Sequence, residues 1–248
     1  MRILLSGALG RLARAIAAQA LENGDEILGG VDVMTGKADF PLYQSFEDAP
    51  VADVVIDSSA PQALDGILDY CVQNGVPAVL CTTGYDDDQL KAIDEAAGKV
   101  ALFRSGNMSL GIALLRALAK KAATVLGDGF DVEIVEAHHN RKKDAPSGTA
   151  LMLYDAVKDA YEQPREAVYG RHGRESQRQP NEIGIHALRG GTVTGEHEVC
   201  FFGPSERIRL SHSAESRSVF ASGALRAADF LKDQAPGLYS MDDLVGKL

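Results

Sequence analysis

Two adjacent histidines and three consecutive cations lie in one short stretch of the chain. Residues 136–150 read EAHHNRKKDAPSGTA. Histidine titrates near neutral pH, so either His138 or His139 can deliver a proton. Ser147 is a good candidate for a helix N-cap, and the backbone N–H groups around Ser147, Gly148 and Thr149 would form an anion site. Together with the cations, these residues predict a pocket for a compact substrate that carries carboxylates.

Two other interpretations of residues 136–150 are open. A run of charges is usually a solvated surface, but this run follows an apolar strand directly and leads into an apolar helix. A metal site built on His138 and His139 is less favoured because adjacent side chains usually diverge. The cations at 141–143 would also repel a divalent ion, so we expect no metal.

A second motif with chemical meaning is a glycine turn near the start of the chain. Residues 7–13 read GALGRLA and join a predicted strand to a predicted helix. Gly7 and Gly10 allow a tight turn whose N–H groups face a pyrophosphate, and the helix dipole favours anions there. The pattern is G-x-x-G-x-x-A rather than G-x-G-x-x-G, with Ala13 at the helix-packing position, so a simple chain reversal is the alternative.

Asp32 ends the second predicted strand, where it could accept both ribose hydroxyls of an adenosine and would repel a 2′-phosphate. Val33 follows it, so no adjacent arginine is ready for that phosphate. We therefore expect NADH as the preferred cofactor, with NADPH possible through Lys37. The alternative is a solvated acid at a strand end.

Two further loops follow the fourth and fifth predicted strands, where open parallel sheets bind ligands. One is Cys81-Thr82-Thr83-Gly84 and the other is Ser105-Gly106-Asn107-Met108. Their small and amide side chains suit a nicotinamide carboxamide. No histidine or lysine neighbours Cys81 in the sequence, so we expect this thiol to pack rather than react.

The elements that must position these residues alternate in the first half of the chain. Apolar strands at 2–5, 26–31, 52–56, 77–81 and 100–103 are separated by helical patterns at 11–23, 62–74 and 86–97. This order predicts an α/β fold with a Rossmann-like doubly wound parallel sheet.

The second half has a different pattern. Helices are predicted at 110–126, 150–161 and 216–232, strands at 131–137, 182–188, 197–202 and 207–213, and a long loop at 163–181. These segments predict a second, α+β domain with an open mixed sheet. We therefore expect residues 1–108 and 217–248 to form a dinucleotide-binding domain and residues 109–216 to form a domain for substrate binding and oligomerisation.

Composition excludes several classes of protein. The 248 residues carry a formal net charge of −10 and are 45% hydrophobic, which is typical of a globular protein and disfavours binding to nucleic acid or anionic membranes. No apolar stretch is long enough to span a bilayer. The three cysteines have no CxxC spacing, which suits a reducing, cytoplasmic location.

The 136–150 segment resembles the signature E-A-H-H-x-x-K-x-D-A-P-S-G-T-A of the 4-hydroxy-tetrahydrodipicolinate reductase family, also called dihydrodipicolinate reductases. Other segments resemble the family in the same order: GALGRL, CTTG, GNMSLGI, EIGIHALRGGTVTGEHEV, SRSVFASGAL and GLYSMDDLV. The resemblance covers nearly the whole chain. It departs from the family at Cys81, commonly glycine, and at Asp32-Val33, which replaces an acidic residue followed by arginine in members that use both cofactors.

The resemblance implies a role for each motif residue. His138 would be the acid/base residue and Lys142 a proton donor, although Lys142 could equally act through its charge alone. The substrate carboxylates would be held by His139, Ser147, Gly148 and Thr149. The dinucleotide would be bound by Gly7, Ala8, Leu9, Gly10, Arg11, Leu12, Asp32, Cys81, Thr82, Thr83, Ser105, Gly106, Asn107 and Met108.

The implied reaction is the NAD(P)H-dependent reduction of 4-hydroxy-tetrahydrodipicolinate to tetrahydrodipicolinate with loss of water, in the diaminopimelate pathway of lysine biosynthesis. A homotetramer is implied as well. The alternatives are another nicotinamide-dependent reductase of a small carboxylate and a non-catalytic dinucleotide sensor. The remaining histidines are expected to have structural or interface roles; they are His172, His186, His197 and His212.

Overall fold

The computed structural model describes residues 1–246. The chain forms two compact units. The first contains Met1–Leu110 and the chain from Arg217 onward, and the second is Gly111–Ser216. The second unit is therefore inserted, in sequence, between two parts of the first.

The first unit holds a seven-stranded parallel sheet. Its strands are β1 (Arg2–Ser6), β2 (Glu26–Val31), β3 (Leu42–Tyr43), β4 (Val54–Asp57), β5 (Ala78–Leu80), β6 (Ala101–Arg104) and β12 (Gly237–Tyr239). They lie in the order β12-β6-β5-β4-β1-β2-β3. All four residues of β4 are buried, as expected for a central strand of a sheet covered on both faces. The doubly wound sheet predicted from the sequence is confirmed.

Five α-helices belong to the described part of this unit. They are α1 (Arg11–Glu22), α2 (Leu64–Asn74), α3 (Asp87–Ala97), α6 (Ser218–Leu231) and α7 (Met241–Gly246). α1 packs against α6, and α2 packs against α3. Local chemistry sets the helix ends: Asp86 and Gln89 form a capping box at the start of α3, and Gly75 ends α2 with a φ of 66°.

The second unit is built on a five-stranded mixed sheet, which confirms the predicted α+β class. Its strands are β7 (Asp131–His138), β8 (Glu166–Tyr169), β9 (Glu182–Arg189), β10 (Glu196–Phe202) and β11 (Arg207–Ser213), in the order β11-β10-β7-β9-β8. Side chains of α4 (Leu110–Leu126) and α5 (Gly148–Lys158) share an apolar core with one face of this sheet.

Strand register in this sheet brings distant residues side by side. In the parallel β7–β9 pair His138 lies opposite Arg189, and in the antiparallel β7–β10 pair Glu136 lies opposite His197. Directly paired residues point to the same face of a sheet. Glu136, His138, Arg189 and His197 therefore share the face that carries the apolar core.

The prediction of a continuous loop over 163–181 is wrong for part of that segment, because Glu166–Tyr169 forms β8 at the sheet edge. An edge strand pairs on one side only, and both ends of β8 are exposed, so its sequence lacks a strong apolar pattern. The two very short strands β3 and β12 and helix α7 were not predicted either. None of the helices within residues 1–246 has both the length and the apolar character that crossing a bilayer requires.

Candidate functional site

The turn between β1 and α1 allows close approach to its backbone. Gly7 has a φ of 69°, and its N–H donates to the Val31 carbonyl at 2.9 Å. A Cβ atom at Gly7 would lie 2.7 Å from the Ser59 Cα. No side chain caps α1 at Gly10, so the N–H groups at the start of the helix receive no side-chain acceptor from that residue. These features fit the pyrophosphate site predicted for residues 7–12.

Asp32, directly after β2, braces the glycine turn. Its Oδ2 accepts a hydrogen bond from the Leu9 N–H at 2.9 Å, and its Oδ1 accepts one from the Met34 N–H at 2.9 Å. Each carboxylate oxygen keeps a further lone pair for a ribose hydroxyl. The following residue, Val33, is 86% exposed and offers no charge to a 2′-phosphate. The contact with Leu9 depends on the pairing of β1 with β2 and is not visible in the sequence.

The two loops predicted to receive the nicotinamide lie next to each other. A Cβ atom at Gly106 would lie 3.8 Å from the Thr83 Cγ2. The second loop is closed by its own side chains: the Ser105 hydroxyl donates to the Asn107 carbonyl at 2.7 Å, and the Ser109 N–H donates to the Asn107 Oδ1 at 2.9 Å. Burial raises the pKa of the Cys81 thiol, which keeps it protonated near neutral pH.

Sequence reasoning missed Asp57, the last residue of β4, and the two serines that follow it. Asp57 is fully buried and accepts hydrogen bonds from the backbone N–H and hydroxyl of Ser59, the residue against which Gly7 packs. The buried hydroxyl of Ser58 has no partner within residues 1–246. An acid at the end of a strand was the available signal, as it was for Asp32.

These observations fit a nicotinamide dinucleotide in the first unit. The close packing at Gly7 leaves no room for a side chain, and the unpartnered Ser58 hydroxyl next to it can serve a ligand. Gly30 is equally constrained, because a Cβ atom there would lie 2.2 Å from the Ala8 Cβ. The residues that would hold the cofactor are those predicted above for the glycine turn, Asp32 and the two loops.

In the second unit, β7 carries two polar side chains into an apolar face. Its residues alternate between exposed or half-buried and buried positions, and the last two buried ones are Glu136 and His138. Glu136 is 1% exposed and His138 is 9% exposed. The Glu136 Oε2 lies 2.6 Å from the His138 Nδ1. His138 is thus held by a buried carboxylate on the same strand, as period-two geometry allows.

Arg189 neutralises this carboxylate from the end of β9. Its Nη1 and Nη2 each donate to one Glu136 oxygen at 2.8 Å, and Nη2 also donates to the Asp144 carbonyl at 2.7 Å. Burial alone would raise the Glu136 pKa, but hydrogen bonds from Arg189, His138 and the Ser147 N–H outweigh it and lower that pKa. Glu136 is therefore ionised near neutral pH. Sequence reasoning assigned no role to Glu136 or Arg189.

Ser147 is the N-cap of α5, as predicted. Its hydroxyl accepts from the Ala150 N–H at 3.1 Å, and its own N–H donates to the Glu136 Oε1 at 3.0 Å. The Ser147 Oγ also lies 3.1 Å from the His197 Nε2. Gly148 follows at the exposed start of the helix, where N–H groups lack intrahelical acceptors.

His197 sits beside these residues, which the sequence alone did not indicate. Its ring is 5.2 Å from that of His138, in an edge-to-face arrangement, and it is 5% exposed. Burial, helped by the nearby His138, lowers the pKa of His197 to about 4. His197 is therefore neutral at physiological pH.

The cationic stretch is less uniform than its sequence suggests. Lys142 is paired with Asp144 at 2.9 Å, whereas Arg141 and Lys143 are exposed. The loop is held by the backbone, because the Lys142 N–H donates to the His139 carbonyl at 3.1 Å. The Nδ1 atom of His139 is buried without a partner in the described chain. Lys142 and His139 are thus joined within one loop, next to the ion pair with Asp144.

A separate ionic cluster lies on the opposite face of the same sheet. Glu133 of β7 contacts His186 Nε2 at 2.7 Å, Arg171 at 3.0 Å and Arg178 at 2.8 Å. The arginine-rich segment after β8 is thus tied to the sheet. Among residues 1–246, no three His, Cys, Asp or Glu side chains are grouped to hold a metal ion.

Known protein families and relatives match the sequence of both units. The family model described as "Dihydrodipicolinate reductase, N-terminus" matches residues 1–108, and the one described as "Dihydrodipicolinate reductase, C-terminus" matches residues 111–245. A 4-hydroxy-tetrahydrodipicolinate reductase of Caldanaerobacter subterraneus subsp. tengcongensis is 51% identical, with 100% of this chain and 99% of the relative covered. One of Clostridium tetani is 44% identical, with 98% and 96% covered.

Solved structures resemble the fold. A dipicolinate-bound dihydrodipicolinate reductase from Paenisporosarcina sp. TG-14 has a TM-score of 0.81 at 23% identity, with 98% of this chain and 99% of that chain covered. An aspartate dehydrogenase from Thermotoga maritima has a TM-score of 0.54 at 10% identity, with 95% and 98% covered. At these identities the likeness concerns the fold alone.

Proposed function

The chain belongs to the dihydrodipicolinate reductase family, and we propose that it carries out the reaction of its curated relatives with the residues described above. It is an NAD(P)H-dependent oxidoreductase that reduces 4-hydroxy-tetrahydrodipicolinate to tetrahydrodipicolinate with loss of water, a step of diaminopimelate and lysine biosynthesis. The observation that carries the assignment of residues is the placement of His138 beside the N-terminus of α5, with both tied to Glu136.

In the second unit, each group has a separate task. The Gly148 N–H, at the start of α5, binds a substrate carboxylate together with Thr149. The Ser147 N–H is not free for this, contrary to the expectation from the sequence, because it donates to Glu136; Ser147 contributes by capping the turn. Lys142 adds positive charge and His139 adds a hydrogen-bond donor for the two carboxylates of the substrate. His138 holds and transfers the proton that the reaction needs, because its ring is fixed at the same strand end.

In the first unit, the glycine turn binds the pyrophosphate and Asp32 binds the adenosine ribose. The loops Cys81–Thr83 and Ser105–Met108 hold the nicotinamide. The bound cofactor supplies the hydride. We propose that NADH is preferred over NADPH, since the Asp32 carboxylate would repel a 2′-phosphate and the exposed Val33 cannot compensate for that charge.

An assay of NADH and NADPH oxidation tests the function directly. The unstable substrate is generated in place by an excess of the synthase that makes it, and the absorbance of the reduced cofactor is followed. We expect synthase-dependent oxidation with both cofactors and a higher kcat/KM with NADH. Oxidation that does not depend on the synthase product would contradict the proposed substrate.

Replacing Asp32 tests the cofactor preference. The substitution Asp32→Ala removes charged hydrogen bonds to the ribose, each contributing about 1.5–3 kcal/mol, so the KM for NADH should rise about 10-fold or more. The KM for NADPH should rise less, because the repulsion of its phosphate is relieved. The substitution also removes the hydrogen bond from the Leu9 N–H to Asp32, which should affect both cofactors alike. The readout is therefore the ratio of the two KM values. An equal rise would refute the role of Asp32.

We also propose a cytoplasmic location and a homotetramer. Support for assembly comes from the sheet face of the second unit that points away from its helices. Leu188 and Phe202 lie on that face and are 55% and 37% exposed. Light scattering on the purified protein tests the number of subunits, and a monomer at micromolar concentration would contradict the proposal.

A further inference from the structure

We propose that Glu136 is a positioning residue for His138: its carboxylate holds the hydrogen of the imidazole on Nδ1, so that Nε2 is the nitrogen that exchanges a proton with the substrate. The inference deepens the proposed function and rests on it for its catalytic part. Its structural part, the identity of the protonated ring nitrogen, stands on geometry alone and is measurable without substrate.

The hydrogen-bond pattern around Glu136 allows one arrangement of hydrogens. Its Oε2 lies 2.6 Å from the His138 Nδ1, and each of its oxygens accepts from Arg189 at 2.8 Å. An ionised carboxylate accepts hydrogen bonds and cannot donate one. The Nδ1 atom must therefore carry the hydrogen in this contact. In the neutral ring the lone pair is then on Nε2, and in the protonated ring the Nε2–H is the one free to leave.

Burial of Glu136 leaves the His138 ring no alternative to this arrangement of hydrogens. Glu136 is 1% exposed, so water does not compete for its oxygens. A buried carboxylate is costly unless it is paired and hydrogen-bonded, and Arg189 supplies the pairing. The imidazole cannot turn over without placing the C–H edge of the ring against a buried anion. The tautomer is thus set by the protein and does not depend on the substrate.

The same carboxylate also places the anion-binding turn. Its Oε1 accepts from the Ser147 N–H at 3.0 Å, and the Arg189 Nη2 that donates to Oε1 donates to the Asp144 carbonyl at 2.7 Å as well. The positions of His138, the loop at Asp144 and the start of α5 therefore all depend on the Glu136 carboxylate. A change at Glu136 should affect proton transfer and carboxylate binding in the same variant.

The substitution Glu136→Gln tests the proposal. Glutamine has the same shape, but its side-chain amide has an NH₂ that only donates and an oxygen that only accepts. If its NH₂ faces His138, it donates to Nδ1 and the ring hydrogen moves to Nε2. If its oxygen faces His138, the NH₂ meets the Ser147 N–H, donor against donor, and the turn shifts. Either orientation also loses one Arg189 hydrogen bond.

The tautomer is read from nitrogen NMR of protein labelled with ¹⁵N at its six histidines. The spectrum of His138→Gln assigns the His138 signals by their loss. In the unsubstituted protein we expect hydrogen on Nδ1 of His138, and in Glu136→Gln we expect the Nε2–H form or a mixture. Hydrogen on Nε2 in the unsubstituted protein would overturn the proposal, even if the variant does not fold.

Kinetics supply the second readout. We expect Glu136→Gln to lower kcat about 100-fold, within the range that general acid–base catalysis contributes, while the KM for NADH changes less than about twofold. The matched control is Glu133→Gln on the opposite face of β7, where the carboxylate contacts the His186 Nε2 at 2.7 Å. Its kcat should be unchanged. A folded Glu136→Gln variant with normal kcat would overturn the positioning role.

The two proposals fail in distinguishable ways. If the unsubstituted protein does not reduce the synthase product, the proposed function fails and the NMR result on His138 still stands. If the unsubstituted protein is active and the Nδ1 atom of His138 carries no hydrogen, the proposed function stands and the role of Glu136 is refuted.

Discussion

The substitution His197→Gln should make the protein markedly less sensitive to acid. His197 is buried between Ser147 and the His138 ring, and burial is the main reason that its pKa falls to about 4. The positive charge of His138, His212 and Lys142 acts in the same direction, and Glu136 opposes it. In the unfolded chain, the same imidazole titrates near its ordinary value of 6.5.

The direction in which stability changes with pH follows from the uptake of protons on unfolding. Between about pH 6.5 and pH 4, the unfolded chain binds a proton at His197 that the folded chain does not bind. Acid therefore favours unfolding in this window, and the stability conferred by keeping His197 neutral is present above it. With these two pKa values, lowering the pH from about 7 to about 5 costs about 2 kcal/mol at this residue.

Urea unfolding at the two pH values, followed by circular dichroism at one protein concentration, measures this difference. Glutamine keeps a donor near the Ser147 hydroxyl and cannot titrate. The free energy of unfolding of His197→Gln should therefore change about 2 kcal/mol less between pH 7 and pH 5 than that of the unsubstituted protein. The exposed His172 offers the matched control, since His172→Gln should leave the pH dependence unchanged.

One result would refute this reasoning. If His197→Gln loses as much stability between pH 7 and pH 5 as the unsubstituted protein does, His197 is not the buried neutral histidine described here. The half-buried His212, whose pKa is also lowered by burial, leaves a residual slope in both proteins and so does not affect the comparison.

Two more substitutions test other parts of the molecule. Lys142→Ala should lower kcat/KM about 100-fold, because it removes a cation from the anion site and leaves the Asp144 carboxylate without its ion-pair partner; a loss no larger than that of the exposed Lys143→Ala would contradict this. Gly223→Ala should destabilise the first unit by about 2 kcal/mol or more, because its Cβ would lie 1.6 Å from the Met108 carbonyl oxygen. In thermal melts its control is Gly66→Ala, where the nearest atom is a side-chain carbon at 3.5 Å, and equal melting temperatures for the two variants would be the contrary outcome.

Much of the architecture was predictable because its signals are local. Alternating apolar strands and amphipathic helices indicated the parallel sheet, and the change of pattern after residue 108 indicated a second, mixed sheet. Ser147 was recognisable as an N-cap because its own sequence neighbours make the cap. The short strand β8 escaped prediction because its half-buried residues derive their strand conformation from pairing with β9.

The residues of the candidate site also divide into those that the sequence indicated and those that only the structure revealed. The sequence by itself determined that His138, His139, Lys142 and Ser147 lie within one short segment, and it placed Asp32 at the end of β2 in the first unit. It did not show that Arg189 and His197 join His138, since they arrive from β9 and β10 through strand register. Only the tertiary structure decided that Glu136 is buried, ionised and bound to the His138 Nδ1. The reason is physical: residue type and spacing specify which groups are available, whereas burial and hydrogen-bond partners depend on which distant strands pair.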